Sequence, residues 1–188
     1  MKYLPLVNIK QGTKSTHRYS NGNTLPLVQL PFAMCGFSLQ TRYDGGWYYL
    51  EKGYAVTSQW RKDSIGWCYL SESGRMVTND FVADSMGLCY IGGEGYMLEV
   101  TDWQLHNDQW YYLEKGYAVT NDWRLDSKGW CYLGEDGAML TSTWFKDSVG
   151  WCYIDENGYC LANGTYEVNG HEYTFDADGR IQGEPIQE

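Results

Sequence analysis

Phenylalanine, proline and histidine are scarce in this chain of 188 residues, with 5 Phe, 4 Pro and 3 His. Basic side chains are also in the minority, 14 against 24 acidic ones, which leaves a formal charge of −10. No window approaches the roughly 18–20 unbroken apolar residues that a membrane-spanning helix needs, so no membrane span is expected. A net-acidic chain is a poor partner for nucleic acid, because phosphate binding needs concentrated Lys and Arg. Leu, Ile, Val and Ala are too sparse for a large aliphatic core, and from residue 46 onward no stretch has convincing helical periodicity. The three histidines form no Ser–His–Asp or Cys–His arrangement, and no residue is expected to be catalytic. Zinc is not expected either, since Cys pairs two to four residues apart are absent. The acidic turns DENG and DADG lack the twelve-residue ligand spacing of a calcium loop. No cofactor is expected.

What the chain has in quantity is rings and glycine: 9 Trp, 17 Tyr and 22 Gly, with aromatics making up 16% of the sequence. Rings must therefore supply most of the buried surface. Their distribution divides the chain. Residues 1–42 carry Lys2, Lys10, Lys14, Arg18 and Arg42 and no acidic side chain, whereas all 24 acidic residues lie beyond them. Trp is absent before Trp47, and Pro5, Pro26 and Pro31 fall in the head. The shift sets a boundary near Arg42 to Gly45, dividing a non-repeat head, residues 1–45, from an array over residues 46–188.

The array repeats about every 20–22 residues, with repeats starting near Gly46, Gly66, Gly87, Gln109, Gly129, Gly150 and Gly170. Four share the pattern DSxGxCY, beginning at Asp63, Asp84, Asp126 and Asp147. The string WYYLEKGYAVT occurs identically at Trp47–Thr57 and Trp110–Thr120, an offset of 63 residues or three repeats. Segments such as WCYL alternate, so Trp and the second Tyr face one way and Cys and Leu the other. An acidic Gly-containing turn (SESG, GEDG, DENG) follows, then a short returning segment (RMVT, AMLT), and a connector carrying another ring. The pattern predicts an all-β fold, a solenoid of about seven stacked β-hairpins in which the Trp-x-Tyr strand pairs with the returning segment. A lone hairpin is marginal in water, so the repeats must bury their rings against one another.

The recurring rings are Trp47 and Tyr49, then Trp60; Trp67 and Tyr69; Trp103, then Trp110 and Tyr112. The series continues with Trp123, Trp130 and Tyr132, then Trp144, Trp151 and Tyr153. Met76, Met97 and Met139 take matching places on the returning segments. Several ring faces converging on one spot suit a quaternary ammonium, which offers no hydrogen bonds and is held by the ring quadrupole at roughly 0.5–2 kcal/mol per ring. The same stripe also suits inter-repeat packing alone, or platforms for sugar rings flanked by Asp, Asn or Gln.

The features GWCYL, WYYLEKG, DENG and GxM followed by a connector Trp resemble the choline-binding, or cell-wall-binding, repeats of bacterial surface proteins, autolysins and phage lytic enzymes. The resemblance covers residues 46 to about 180. It implies a left-handed solenoid with about three hairpins per turn and aromatic boxes, closed by a Met, that hold the choline of teichoic acid between successive hairpins. The boxes it implies draw on the Trp, Tyr and Met residues above. It further implies a non-catalytic anchoring module at the bacterial cell surface or secreted, and it is compatible with a choline-driven homodimer. A glucan or other wall polysaccharide is the alternative ligand, and a fragment of a secreted glycoside hydrolase the alternative origin. No convincing signal peptide is present.

Departures from the pattern mark where boxes are expected to be weak. Leu88 stands in place of Trp in the third repeat and Phe81 in place of the connector Trp before it. Val56 and Val119 are read as replacing the Met in the two WYYLEKG repeats. NGHEYTFDADG, with His171 and Tyr173 and with Thr165 near the connector-Trp place, reads as an end cap. Cys68, Cys89, Cys131 and Cys152 occupy one repeat position, filled by Tyr48 and Tyr111 in sister repeats, which points to buried free thiols ahead of disulfides between repeats. The acidic residues, placed in turns and in the Asp-Ser connectors, are read as solvated surface. In the head, SNGNTLPLVQLPF and its flanks, residues 3–41, are similar to the opening of the α-mannosidases of glycoside hydrolase family 92. His17, Arg18 and Asn23 would be remnants of that surface, without the acidic groups and calcium ligands the family's chemistry needs.

Overall fold

The computed structural model describes residues 15–16, 26–27, 39–43, 45–51 and 54–186. Every described strand is two to six residues long, and no helix occurs among the described residues. The fold is all-β and of the hairpin-repeat solenoid class. It divides into two compact units, one running to Asp80 and including Ile91–Met97, the other formed by Phe81–Tyr90 and the residues from Leu98 onward.

The hairpins form on the opposite side of the Trp-x-Tyr strand from the one the sequence pattern predicts. Gln59–Lys62 pairs antiparallel with Trp67–Leu70, Asp122–Leu125 with Trp130–Leu133, and Thr143–Lys146 with Trp151–Ile154. Each full ladder thus joins a connector strand to the Trp-x-Tyr strand that follows it. The returning segments contribute single bridges, Leu70 to Met76, Ile91 to Met97, Leu133 to Met139 and Ile154 to Cys160, and only two-residue ladders in the two WYYLEKG repeats, Tyr54–Ala55 with Leu50 and Glu51 and Tyr117–Ala118 with Leu113 and Glu114. The cause lies in the Asp-Ser turn. Asp63 Oδ1 accepts hydrogen bonds from the Ile65 and Gly66 amides at 2.7 and 3.1 Å, while the Asp63 amide donates to the Gly66 carbonyl at 3.1 Å. Asp84, Asp126 and Asp147 accept from the equivalent amides at 2.7–3.2 Å. An aspartate that closes its own turn aligns the two strands it joins. These four aspartates are half-buried turn closers, which corrects the reading of them as solvated surface.

The first hairpin draws on the head. Leu39–Tyr43 pairs with Gly46–Glu51, and Arg42 stands opposite Trp47. The step from residue 45 to 46 therefore falls at the turn of that hairpin. Ser15–Thr16 pairs with Pro26–Leu27. His17, Arg18, Asn23 and Cys35, and with them most of the segment similar to the family 92 α-mannosidases, lie outside the described residues.

Burial follows the alternation. Cys68, Leu70, Cys89, Ile91, Cys131, Leu133, Cys152 and Ile154 are fully buried. Five cysteines, the four at the repeat position and Cys160, are free thiols. Burial pushes Cys68, Cys89 and Cys131 up to about 11. Small sulfur side chains here let successive strands approach while keeping the interior apolar. Successive repeats are joined by the backbone, since the amides of Met76, Met97, Met139, Cys160 and Ile181 donate to the carbonyls of Trp47, Trp67, Trp110, Trp130 and Trp151 at 2.7–3.0 Å. The register also corrects the reading of Val56 and Val119. Ala55 pairs with Leu50 and Ala118 with Leu113, so alanine holds the place that Met holds elsewhere. The valines are equivalent to Val77, whose amide bonds the preceding Tyr carbonyl as theirs do.

The carboxylate oxygen left free by each turn takes a partner from further along the chain. Tyr96 donates to Asp63 at 2.9 Å, Tyr117 to Asp84 at 3.0 Å, and Tyr159 to Asp126 at 2.9 Å. Each pair is 33 residues apart, as are Asp147 and Arg180, which replaces the tyrosine with a guanidinium. Burial and then the bond to aspartate push the Tyr117 and Tyr159 phenols up to about 12.

Candidate ligand-binding faces

The strand register assembles the sequence-predicted rings into groups of three. Trp67 and Tyr69 lie on one face of their strand, and Trp60 stands directly across from Tyr69. The same arrangement is built from Trp103, Trp110 and Tyr112, from Trp123, Trp130 and Tyr132, and from Trp144, Trp151 and Tyr153. In all four, the connector Trp meets the Tyr edge-to-face, with ring centroids 5.1–5.2 Å apart. This contact between the negative face of one ring and the positive edge of another fixes a two-ring corner, and half-buries both rings. The third ring is open in three of the groups, Trp67, Trp110 and Trp130 being 39–50% exposed, whereas Trp151 is half-buried.

Cations already use these rings. The Lys62 and Lys146 ammonium groups, on the cross-strand partners of Trp67 and Trp151, lie 5.3 Å from those ring centroids. The partners of Trp110 and Trp130 are instead Leu105 and Leu125, both exposed. Arg61 lies over Tyr49 at 5.9 Å and Arg124 over Tyr112 at 5.6 Å. Both arginines are held by the glutamate that ends the WYYLE strand, Glu51 and Glu114, at 2.7 Å. In the next equivalent place Phe145 replaces arginine and lies 4.1 Å from Tyr132.

The remaining predicted residues fall as follows. Trp47 is 42% exposed, but Gln40 stands opposite Tyr49 where a connector Trp would stand, so this group has two rings. Met76 is buried in a cluster with Tyr49, Val56, Cys68 and Leu70, against which Tyr96 packs. Met97 and Met139 are half-buried. In the third repeat Phe81 packs against Tyr90 at 4.9 Å, Tyr111 at 4.5 Å and His106 at 5.4 Å. Rings from the following repeat thus crowd the place where Leu88 already removes the outer Trp. His106 and Phe145 were not anticipated as members of ring clusters. Their signal was their spacing from the adjoining connector ring, legible only once the hairpin register was known. At the C-terminal end Tyr173 lies 4.8 Å from Trp144, and Thr165 faces Thr174, while His171 is exposed. No group of three or more His, Cys, Asp or Glu side chains able to hold a metal occurs among the described residues. No helix among them is long and apolar enough to cross a membrane.

These features define the class: a β-hairpin repeat protein presenting three-ring groups in four of its hairpins. No protein-family model matches the chain, and no curated protein does. Among solved structures, choline binding protein F from Streptococcus pneumoniae matches with a TM-score of 0.53 and 32% identity over 76% of this chain and 51% of that one. CbpJ from Streptococcus pneumoniae TIGR4 matches with a TM-score of 0.54 and 29% identity, again over 76% and 51%. Choline binding protein F in the presence of a peptidoglycan analogue matches at 0.53 and 30%. The chain spans about half the length of these proteins. In sequence and in fold, it resembles the choline-binding repeat family.

Proposed function

We propose that residues 46–188 form a non-catalytic binding module whose ring faces take quaternary ammonium groups, and that the ligand is choline carried on a cell-wall polymer such as teichoic acid. The observation that carries this reading is the fourfold recurrence of a Trp–Tyr corner beside an outer Trp, in a chain whose structural neighbours are named as choline-binding proteins. The lysines seated on Trp67 and Trp151 support it, because the ring surface is already being used to hold an ammonium. A trimethylammonium cannot hydrogen-bond, so it gains from ring faces what it cannot gain from the acidic turns. Three rings contribute about 1.5–6 kcal/mol, which corresponds to dissociation constants from roughly 0.1 M down to about 40 μM for one site. Firm attachment then comes from several faces engaging one polymer. The outer rings Trp110 and Trp130 carry no lysine, although Arg124 lies over Tyr112 and Arg180 over Trp123 in the same groups. Trp67 and Trp151 are shared with their lysines, and the third repeat contributes least. Such a module belongs at the bacterial cell surface.

The test is retention of the full chain on a choline-coated resin and its elution by free choline. Retention abolished by combined Trp110→Ala and Trp130→Ala, with the fold intact by circular dichroism, is the expected result. A wild-type chain that passes through the resin would overturn the proposal.

A further inference from the structure

In the sixth ring group, Trp144, Trp151 and Tyr153, the chain itself covers both tryptophans. From Met139 and Cys160 the chain runs on into the connector strands Thr143–Lys146 and Gly164–Val168. From Ile181, whose amide bonds the Trp151 carbonyl at 3.0 Å, it turns back instead. Gly183 makes that turn at φ of +90°, a region glycine adopts without strain. Residues 183–186 are then tied to the group at two points. The Glu184 carboxylate lies 3.4 Å from the Lys146 ammonium, which itself sits 5.3 Å from the Trp151 ring centroid. The Ile186 amide donates to the Tyr173 hydroxyl at 3.1 Å, and the Tyr173 ring meets Trp144 edge-to-face at 4.8 Å. Between the two ties Pro185 is buried, although Glu184 and Ile186 on either side of it are exposed. The outer ring differs accordingly. Trp151 is half-buried, whereas Trp67, with a lysine at the same 5.3 Å and no carboxylate on that lysine among the described residues, is 39% exposed.

Resting on the reading that these groups take quaternary ammonium ions, we propose that residues 183–186 form a strap that closes the sixth group, holding Lys146 on Trp151 as an internal ammonium that an outside cation must displace. A primary ammonium seated on a ring uses the same quadrupole as a trimethylammonium, so the two compete for one face. Glu184 biases that contest toward the lysine, because it positions the ammonium over the ring and is itself held by the turn at Gly183 and the Ile186 tie. Lys146 and Glu184 are 53% and 72% exposed, so their pair is weak and screened by salt. The strap therefore lowers the affinity of the sixth group by up to about fivefold and does not abolish it. Lys62 supplies the same occupant on Trp67 without a strap, and that group is the internal comparison. One ring group is thus held in reserve, filling after the others as the density of choline on the polymer rises.

The experiment compares the full wild-type chain with Glu184→Gln and with the double variant Glu184→Gln, Tyr173→Phe. The first change removes the charge on Lys146, and the second removes the hydroxyl that the Ile186 amide bonds while keeping the ring on Trp144. Hydroxyl-radical footprinting read by mass gives the oxidation rates of Trp151 and Trp67, each relative to Met86, which is exposed on its turn. Choline chloride is the probe. Without choline, Trp151 should oxidise more slowly than Trp67 in wild type and up to about fivefold faster in the double variant, with Trp67 unchanged and part of the effect present in Glu184→Gln alone. Choline should then protect Trp151 at an up to about fivefold lower concentration in the double variant than in wild type. A Trp151 rate that neither variant alters would overturn the strap. Trp151 uncovered in the variants but protected at the same choline concentration as in wild type would overturn the competition. Trp151 uncovered while choline protects no tryptophan in any chain would overturn the ammonium reading and leave the strap established.

Discussion

Replacing Tyr159 by phenylalanine removes one oxygen atom from the contact between turns and leaves its ring in place. The hydroxyl donates to Asp126 Oδ2 at 2.9 Å, while Oδ1 of the same carboxylate is occupied by the Lys128 and Gly129 amides at 2.7 and 3.2 Å. A hydrogen bond to a charged acceptor contributes about 1.5–3 kcal/mol when buried. Asp126 is only half-buried, so water can reach the freed oxygen, and the expected cost is about 1–2 kcal/mol, at the lower end of that range. The loss should appear as a lower urea midpoint with an unchanged slope. The pH dependence gives a second readout. In the unfolded chain a tyrosine ionises near pH 10, but Tyr117 and Tyr159 are pushed up to about 12 in the folded one. The native state therefore binds their protons more tightly. Their contribution is complete below about pH 10 and is lost as pH rises through about 12. Wild-type stability should fall over that window, and the fall should be shallower in Tyr159→Phe. A variant as stable as wild type, or phenol absorbance titrating entirely near pH 10 in the folded protein, would refute the assignment of these bonds as the links between turns.

On the acid side, Asp126 and Asp147 sit below the usual carboxylate range despite burial, which opposes it, because backbone amides and Tyr159 or Arg180 stabilise the charge. Stability from these groups is present above about pH 4 and should decline as the pH falls below it, measurable as a drop in melting temperature. Gly158 has φ of +88° and an added Cβ would collide with Met139. Gly158→Ala should therefore cost at least about 1 kcal/mol in urea denaturation. In a choline titration followed by tryptophan fluorescence, Trp130→Ala should lower the number of sites or the apparent affinity, while Leu88→Ala should change neither. Cys68, Cys89 and Cys131, fully buried and raised to about 11, should react with a thiol reagent at neutral pH far more slowly in the native than in the denatured chain.

The period, the all-β class and the separation of Trp and Tyr from Cys and Leu were legible because a two-residue alternation repeated in seven places leaves little freedom. The pairing partner of each strand was not. Both sides of WCYL carry turn signals, SESG on one and DSIG on the other, and composition does not rank them. What ranks them is the cross-strand contact of Trp60 with Tyr69 and the aspartate that closes the DSIG turn. Local spacing likewise misplaced Val56 and Val119, since WYYLEKGYAVT has no Met to anchor the alignment. The bridge between Leu50 and Ala55 settles it. The second partner of each Asp-Ser aspartate lies 33 residues on, more than one period away, and no local pattern reaches that far. Cys160 could have been found earlier, because GYC aligns with the GRM, GYM and GAM of other repeats. The four Trp–Trp–Tyr groups form because their members sit at fixed offsets that one ladder register satisfies together.

The link between each aspartate and the side chain 33 residues later has a consequence for how such a chain can grow or shrink. The repeats that carry Asp84 and Asp147 also supply Tyr96 and Tyr159 to the aspartates of the repeats before them, so there the contact is head-to-tail and has no built-in stopping point. A duplicated segment that brings along both its aspartate and its tyrosine slots in without leaving a carboxylate unanswered. This grammar tolerates the insertion of whole modules but penalises cuts between a giver and its taker. After the hairpin of Gly164–Val168 and His171–Phe175, Arg180 answers Asp147, while the turn at Asn169 and Gly170 offers no aspartate to be answered.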